Sequence, residues 1–456
     1  MGDMASSDVP ANSPAAPAAR CSVGFAQDSL ESGVVEAVRQ ALAGLGTTRP
    51  DLAVVTVAAP GDATTGGRIL GHAGALLAEA APDCAIIGAT AHGVIAGQRA
   101  VEMEPAVSVW LAAWPGAAPR PFRVATRPAG DSVGLTGLPE IDEDDKLAVC
   151  LVDPWTTPID EVLAGFSRID GDLPLVGGFA SAGQRGENRL LLGSAVLDSG
   201  VVGVVLDAQA PVRAVVSHGC RPIGAPMTVT SSRGAFLIEM ASHPALERVR
   251  SIVEQLPPED QALAVRGLQM GIARSADVEG GAEDYLMRAI IGADPSIGAI
   301  TVGDDVPVGS VVRLHLRDAD SADADLHRAV EAIAEDGQSA GALVITCNGR
   351  GRAMFTSPTH DGSVIAEGLG TDAVGGFFAA GEIGPTAGAN HLHGFTAVVL
   401  VVDPIVGADV EVDRVPRMAM DEEDPMAASL DAELALLLEG GFDEDRSEGT
   451  GESSTE

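Results

Sequence analysis

Residues 190–231 read LLLGSAVLDSGVVGVVLDAQAPVRAVVSHGCRPIGAPMTVTS. Four short apolar runs stand in this stretch: Leu190–Leu197, Val201–Asp207, Val212–His218 and Met227–Ser231. Each has strand length, is rich in Val or Leu, and is bounded by Gly, Ser, Asp or Pro. None of the gaps holds the roughly a dozen residues that a helical crossover needs. The runs are therefore expected to pair antiparallel, as a meander.

On either side the rhythm differs. Gly33–Leu45 carries Val34, Val35, Val38, Ala41, Leu42 and Leu45 at helical spacing. Strands over Leu52–Val57, Cys84–Gly88, Val107–Ala113 and Leu147–Asp153 are interleaved with helices over Gly67–Ala80 and Ile159–Ile169. Beyond the meander, Pro244–Leu256 reads as a helix that Pro257-Pro258 stops. Strands then follow at Leu263–Gly271, Tyr285–Asp294, Ala299–Val302 and Ser310–Arg317, with a helix at Ala322–Ala334. Three more strands, Ala342–Cys347, Gly376–Ala380 and Phe395–Val402, complete the pattern. The fold class is α/β in a mixed, α+β style. Parallel and antiparallel sheets are flanked by helices, and two similar halves form one compact unit between disordered termini.

Residues 1–20 read as a disordered leader, broken by Pro10, Pro14 and Pro17. The structured halves are expected at 21–240 and 241–402. Residues 403–456 form an acidic tail in which Met426–Leu438 is the one amphipathic stretch. That stretch suits a docking partner, and the tail suits simple solvation as well.

Composition excludes several classes. Hydrophobic residues make up 46% of the 456 positions, enough for a large core, and aromatics only 3%, so the core is aliphatic. The formal charge of −37 repels nucleic acid and anionic lipid, and neither is expected as a partner. No apolar run approaches the length of a membrane span. The five cysteines are scattered, without a CxxC pair, which fits a reducing cytoplasm rather than a disulfide framework or structural zinc.

Three strand ends look alike: Ile86–Gly93, Leu175–Gly183 and Gly375–Gly384. Each runs from apolar residues into small ones around a polar position, and three such loops converging would line a pocket. None has the spacing of a nucleotide loop, and no cofactor is expected. The chemistry-rich stretch comes later, with Cys347-Asn348-Gly349-Arg350, His360-Asp361, Glu382, and His391-Leu392-His393. Arg350 in a glycine-flanked turn suits an anion, and Glu382 at a neighbouring strand exit suits an ammonium group. Together they would receive a zwitterion such as an amino acid, with Asn348, Cys347, His393, Thr90, Ser181 and Arg221 as further ligand contacts. Arg350 is equally read as the partner of Glu382 or Asp361 in a structural ion pair. The alternative is an enzyme using Cys347 as nucleophile with His360 or His393, or a metal held by His391 and His393. A pure interaction scaffold is the third reading.

In order and spacing these segments resemble the FIST family, whose members occur in bacterial signalling proteins and certain eukaryotic F-box proteins. The likeness runs from about Asp51 to Thr396. It rests on Ile87–Thr90, Pro105–Val109, Gly177-Gly178, His218–Gly224, His243–Glu247, Cys347–Gly351, Phe377–Pro385 and His393–Thr396. The resemblance implies FIST N-like and FIST C-like regions, a sensory role in signal transduction and binding of small ligands such as amino acids. No kinase, cyclase, receptor-transmitter or F-box segment is recognised here, which leaves two arrangements open: a separate signalling output protein as partner, or a stand-alone binder.

Overall fold

The computed structural model describes residues 19–404 apart from positions 28, 115, 130–131, 170–172, 275–284, 336, 338 and 387. All but the last two residues of the expected leader, and all but the first two of the expected tail, lie outside the described residues.

The described strands form four sheets, and three of them share one plan. In the first, Arg20–Gln27, Ala106–Ala113, Leu52–Ala58 and Ala85–Ala91 lie side by side, the first two junctions antiparallel and the third parallel. Helix Leu30–Leu45 follows the first strand, and helix Ala63–Ala80 carries the crossover between the parallel pair. The second unit repeats the order with Arg120–Ala129, Val201–Asp207, Asp145–Val152 and Leu175–Phe179, and Ile159–Ile169 as crossover helix. The third repeats it with Val212–His218, Thr396–Val402, Gly341–Cys347 and Val374–Ala379, and helix His360–Leu369 in the crossover.

Each unit gives away the hairpin that follows its last parallel strand. The first unit's hairpin, residues 93–102, pairs with Val374–Ala379 of the third. The second's, residues 190–197, pairs with Ala85–Ala91 of the first. The third's, residues 382–393, pairs with Leu175–Phe179 of the second. The exchange is cyclic, so no unit's sheet is complete alone. The central core accordingly mixes all three, with Ile87, Leu151, Val176, Ile345 and Phe377 in one buried cluster. Strands Leu52–Ala58, Gly341–Cys347 and Thr396–Val402 are buried along their whole length, which is why they read as unbroken apolar runs.

The four runs of 190–231 do not form a meander. All are antiparallel to their partners, but the partners are distant. Leu190–Leu197 is itself a hairpin on the first sheet, Val201–Asp207 lies inside the second, and Val212–His218 is an edge of the third. Burial explains the difference. Val201–Leu206 is buried on both faces, so it must sit mid-sheet between two packed layers, whereas a free-standing meander leaves one face wet.

The last run, within Cys220–Arg233, opens the fourth sheet. Val311–Arg317, Leu268–Ala273, Tyr285–Asp294, Ala299–Val302 and Phe236–Met240 follow it in order, and the last pairs back onto it. The result is a closed antiparallel barrel filled by Val229, Leu237, Met240, Met270, Val312 and Leu314. The strand expected over Leu263–Gly271 is split here. Pro258 stands in the first turn of a second helix, Pro258–Gly267, and the strand begins only at Leu268. The barrel is inserted between Val212–His218 and helix Ala319–Ala334 of the third unit. At its neck, Asp318 N donates to Gly219 O at 3.4 Å. A Cβ on Gly219 would stand 2.2 Å from Phe395 O and 3.0 Å from Arg350 Nη1, so only glycine fits.

Candidate functional site

Open α/β sheets place ligands beyond the carboxyl ends of their parallel strands. In the third unit that edge is formed by Cys347 and Ala379. The chain leaves Cys347 through a turn in which Arg350 N donates to Cys347 O at 2.9 Å and Asn348 N to Ala379 O at 2.8 Å. The turn delivers Arg350 into the interior, where it has no exposed surface. Its Nε and Nη2 grip the two oxygens of Asp361 at 2.8 and 2.9 Å, and Nη1 keeps a longer contact of 3.5 Å with Phe395 O. Thr346 Oγ1 donates to the same Asp361 carboxylate. Burial opposes ionisation of Asp361, but Arg350, His360 and Thr346 outweigh it and hold its carboxyl well below the usual range.

Asp361 continues outward through His360. His360 Nδ1 lies 2.9 Å from Asp361 Oδ1, and Nε2 lies 2.8 Å from Asp323 Oδ1 on helix Ala319–Ala334. The imidazole stacks on Phe355 with 3.5 Å between ring centroids. Burial lowers its pKa, the two carboxylates raise it, and the net shift is upward. Outside this stack is an open pocket of about 390 Å³, lined among others by Phe355, Ser357, Thr359, His360, Ser363 and Glu367.

On the inner side, Glu382 is fully buried. Its Oε2 accepts from Thr396 N at 3.2 Å and from Thr396 Oγ1 at 2.9 Å, and the Cys347 thiol is a further hydrogen-bonding neighbour of the carboxyl. Burial pushes the carboxyl up to about 8, so it is neutral at pH 7. The Cys347 thiol neighbours it and is itself pushed up, by burial first and by Glu382 second.

The expected Arg350–Glu382 receptor thus divides. Arg350 belongs to Asp361 in the ion pair that was its alternative reading, and Glu382 stands behind it rather than opposite across an open pocket. Asn348 and Cys347 adjoin them. His393 is the cross-strand partner of Glu382, with Nε2 3.1 Å from Gly384 O, and burial pushes it down to about 3. His391, pushed down to about 4 by burial, lies edge-on to it at 6.1 Å. The alternative metal site is not assembled: no group of three His, Cys, Asp or Glu converges among the described residues, and the carbonyl of Gly384 engages His393 Nε2. Of the two histidines expected to serve Cys347, His360 lies against Asp361 and Asp323, and His393 against Gly384 and Thr386.

Thr90 and Ser181 are elsewhere. Thr90 Oγ1 accepts from Arg189 N at 2.8 Å, pinning the second unit's hairpin to the first. Ser181 Oγ donates to Phe378 O and accepts from His92 N at 2.8 Å, while Ser181 N reaches Thr90 O at 3.3 Å. The three similar loops do converge, but they form a packed junction: a Cβ on Gly178 would stand 2.6 Å from Ile345 Cγ2. Arg221 is held by Asp260 at 2.5 Å and Asp318 at 3.3 Å. Sequence reading missed Phe355, Thr396 and Asp323. Thr396 had a signal, since it follows His393-Gly394-Phe395 at a strand entry. Asp323, one acid in the run Ala319–Asp325, had none.

Comparison with known proteins agrees with this layout. Residues 51–242 match the FIST N domain and residues 245–385 the FIST C domain. The chain belongs to the FIST family. FIST domains are sensory domains of signal transduction. The matches meet inside the barrel, and the FIST C match contains Cys347, Arg350, His360, Asp361 and Glu382. Bacterial relatives include an uncharacterized protein of Mycobacterium tuberculosis strain H37Rv, 44% identical over 327 residues that span 70% of this chain and 84% of the relative. One from Mycobacterium bovis is also 44% identical over 327 residues, 70% of this chain and 83% of its own. Among the described residues of this FIST protein, no helix is long and apolar enough to cross a membrane.

Proposed function

We propose that this FIST protein senses a small polar molecule of amino-acid type, bound in the pocket over Phe355 and His360. The observation that carries the reading is the His360 floor of that pocket, which is joined through Asp361 to the fully buried Arg350. The pocket has the volume for such a ligand. It offers hydroxyls on Ser357, Thr359 and Ser363, a carboxylate on Glu367 and the imidazole of His360, a mixture suited to a zwitterion. Arg350 and Glu382 then act behind the ligand, carrying its arrival into the core, and a separate protein reads the output. The five free cysteines fit a reducing, cytoplasmic setting.

The test is a thermal-shift and calorimetric screen against amino acids and small organic acids. A ligand at about 100 times its Kd adds ~2.7 kcal/mol of stability, which moves the transition visibly. Ser363→Trp fills the pocket and is expected to abolish the shift while circular dichroism stays native. Undiminished binding by that variant would place the site elsewhere.

A further inference from the structure

We infer that Asp323 is an internal stand-in for a ligand carboxylate: a carboxylate entering the pocket replaces it on His360 Nε2 and unlatches the start of helix Ala319–Ala334. The inference rests on the pocket reading above and narrows its ligand to molecules bearing a carboxylate.

The two carboxylates on His360 are unlike. The Asp361 side chain is 3% exposed and also carries the bidentate contact from Arg350, so it cannot leave without stranding a buried cation. The Asp323 side chain is 46% exposed and meets His360 through one oxygen. An exposed ion pair is a weak tie that solvent and competing ions readily exchange. A ligand carboxylate offers the same charge and the same acceptor geometry, so the exchange is like for like at Nε2.

Placement supports the exchange. Asp323 stands four residues after Ala319, which lines the pocket, so the two share one helix face at its rim. The face-to-face stack on Phe355 and the inner bond to Asp361 keep the His360 ring aimed when Asp323 departs. Asp323 keeps a contact within its own helix: His327 Nδ1, one turn further on, lies 3.0 Å from its backbone O and 3.3 Å from its Oδ1. Both ring nitrogens of His360 face a carboxylate oxygen, and the two carboxylates raise its pKa.

Unlatching has a route outward. The same two turns of helix tie the barrel through Asp318 to Arg221, and strand Val212–His218 through Asp325 to Ser217 Oγ at 2.9 Å and His218 N at 2.6 Å. Releasing Asp323 removes the pocket's hold on a helix end that still grips the barrel.

The experiment uses acetate and methylammonium as probes on the full chain, following the His360 imidazole by NMR and the affinity by titration. Acetate is expected to shift the His360 signals, and methylammonium is not. Where an internal competitor holds the site for nine-tenths of the time, its removal tightens binding about tenfold, the effect expected of Asp323→Ala, with Asp323→Asn in between. If acetate moves His360 but binds wild type and Asp323→Ala equally, the pocket stands and the stand-in role is wrong. If acetate moves His360 in none of these proteins, the pocket reading falls and takes this inference with it.

Discussion

The second and third units carry the same strand order, yet the loops beyond their parallel strands are built on opposite principles. In the second, Asp153 follows strand Asp145–Val152 and is buried, but its partners are neutral: Asn188 Nδ2 at 3.0 Å and Thr156 Oγ1 at 2.7 Å. Asn188 in turn accepts from Ala182 N at 2.9 Å, and the network closes within one unit. In the third, the equivalent edge carries a bidentate Arg350–Asp361 pair, a histidine leading to a pocket, and a fully buried glutamic acid bonded to Thr396. The plan of the unit therefore does not require an ion pair at this edge. Buried ion pairs are poor stabilisers compared with apolar packing, so the use of one in the third unit and not in the second points to a task other than holding the fold.

The largest expected effect breaks or sustains that contrast directly. Asp361→Ala leaves Arg350 as a buried, uncompensated charge and should cost about 3–5 kcal/mol in urea unfolding. Asp153→Ala strands only neutral donors and should cost about 1–3 kcal/mol. Arg350→Met combined with Asp361→Leu should recover most of the larger loss, since the fold needs volume there rather than charge. Equal costs for the two alanine variants would mean that both edges are structural in the same sense.

A second, smaller effect appears as pH dependence, and it too belongs to the third unit. Glu382 is pushed up to about 8 from an unfolded value of 4.5. Between those values the native state keeps a proton that the unfolded state has released, so this group's contribution to stability falls as pH rises through that window. His393 and His391, pushed down to about 3 and about 4, act in the other direction: they are neutral when folded, and stability is lost as pH falls below 6.5. Glu382→Gln removes the first slope and leaves the second. Urea midpoints at pH 5, 6, 7 and 8 should therefore rise with pH more steeply in the variant than in wild type. Parallel curves would show that Glu382 is ionised in the folded protein.

What the sequence could reveal follows from the range of the interactions. Strands buried on both faces announce themselves as unbroken apolar runs, as at Leu52–Ala58 and Gly341–Cys347, and helix Ile159–Ile169 shows its apolar stripe. The alikeness of residues 86–93, 175–183 and 375–384 was visible too, and it marks the same station in three units. The cyclic exchange of hairpins was not visible, because which strand a hairpin joins is decided by distant packing. Helix His360–Leu369 was hidden by Gly362 and Gly368, which weaken helical propensity and are tolerated because the helix packs on the third sheet. Arg350, Cys347 and Glu382 stood out as polar residues at the ends of apolar strands. Of their partners, Asp323 did not, since it reads as solvated surface, and Thr396 was marked only by its place after His393-Gly394-Phe395 at a strand entry.

The smallest expected effect is a difference close to zero, and it separates a sensor from a thiol enzyme. Cys347 at the charged edge and Cys150 in the second unit's strand are both buried, and burial raises both thiols, Cys150 to about 12. Thiolate, not thiol, reacts with iodoacetamide, so neither should label quickly at pH 8, even though Cys347 has Gly349 N at 3.4 Å and Arg350 nearby. The nearby positive charge does not help Cys347, because Asp361 pairs with that guanidinium and Glu382 raises the thiol further. Native-state labelling followed by peptide mass spectrometry should therefore give Cys347 and Cys150 rates within a few-fold of each other. Labelling of Cys347 about a hundredfold faster than Cys150 would mean that the charged edge activates a nucleophile, and the third unit would then be read as a reaction centre.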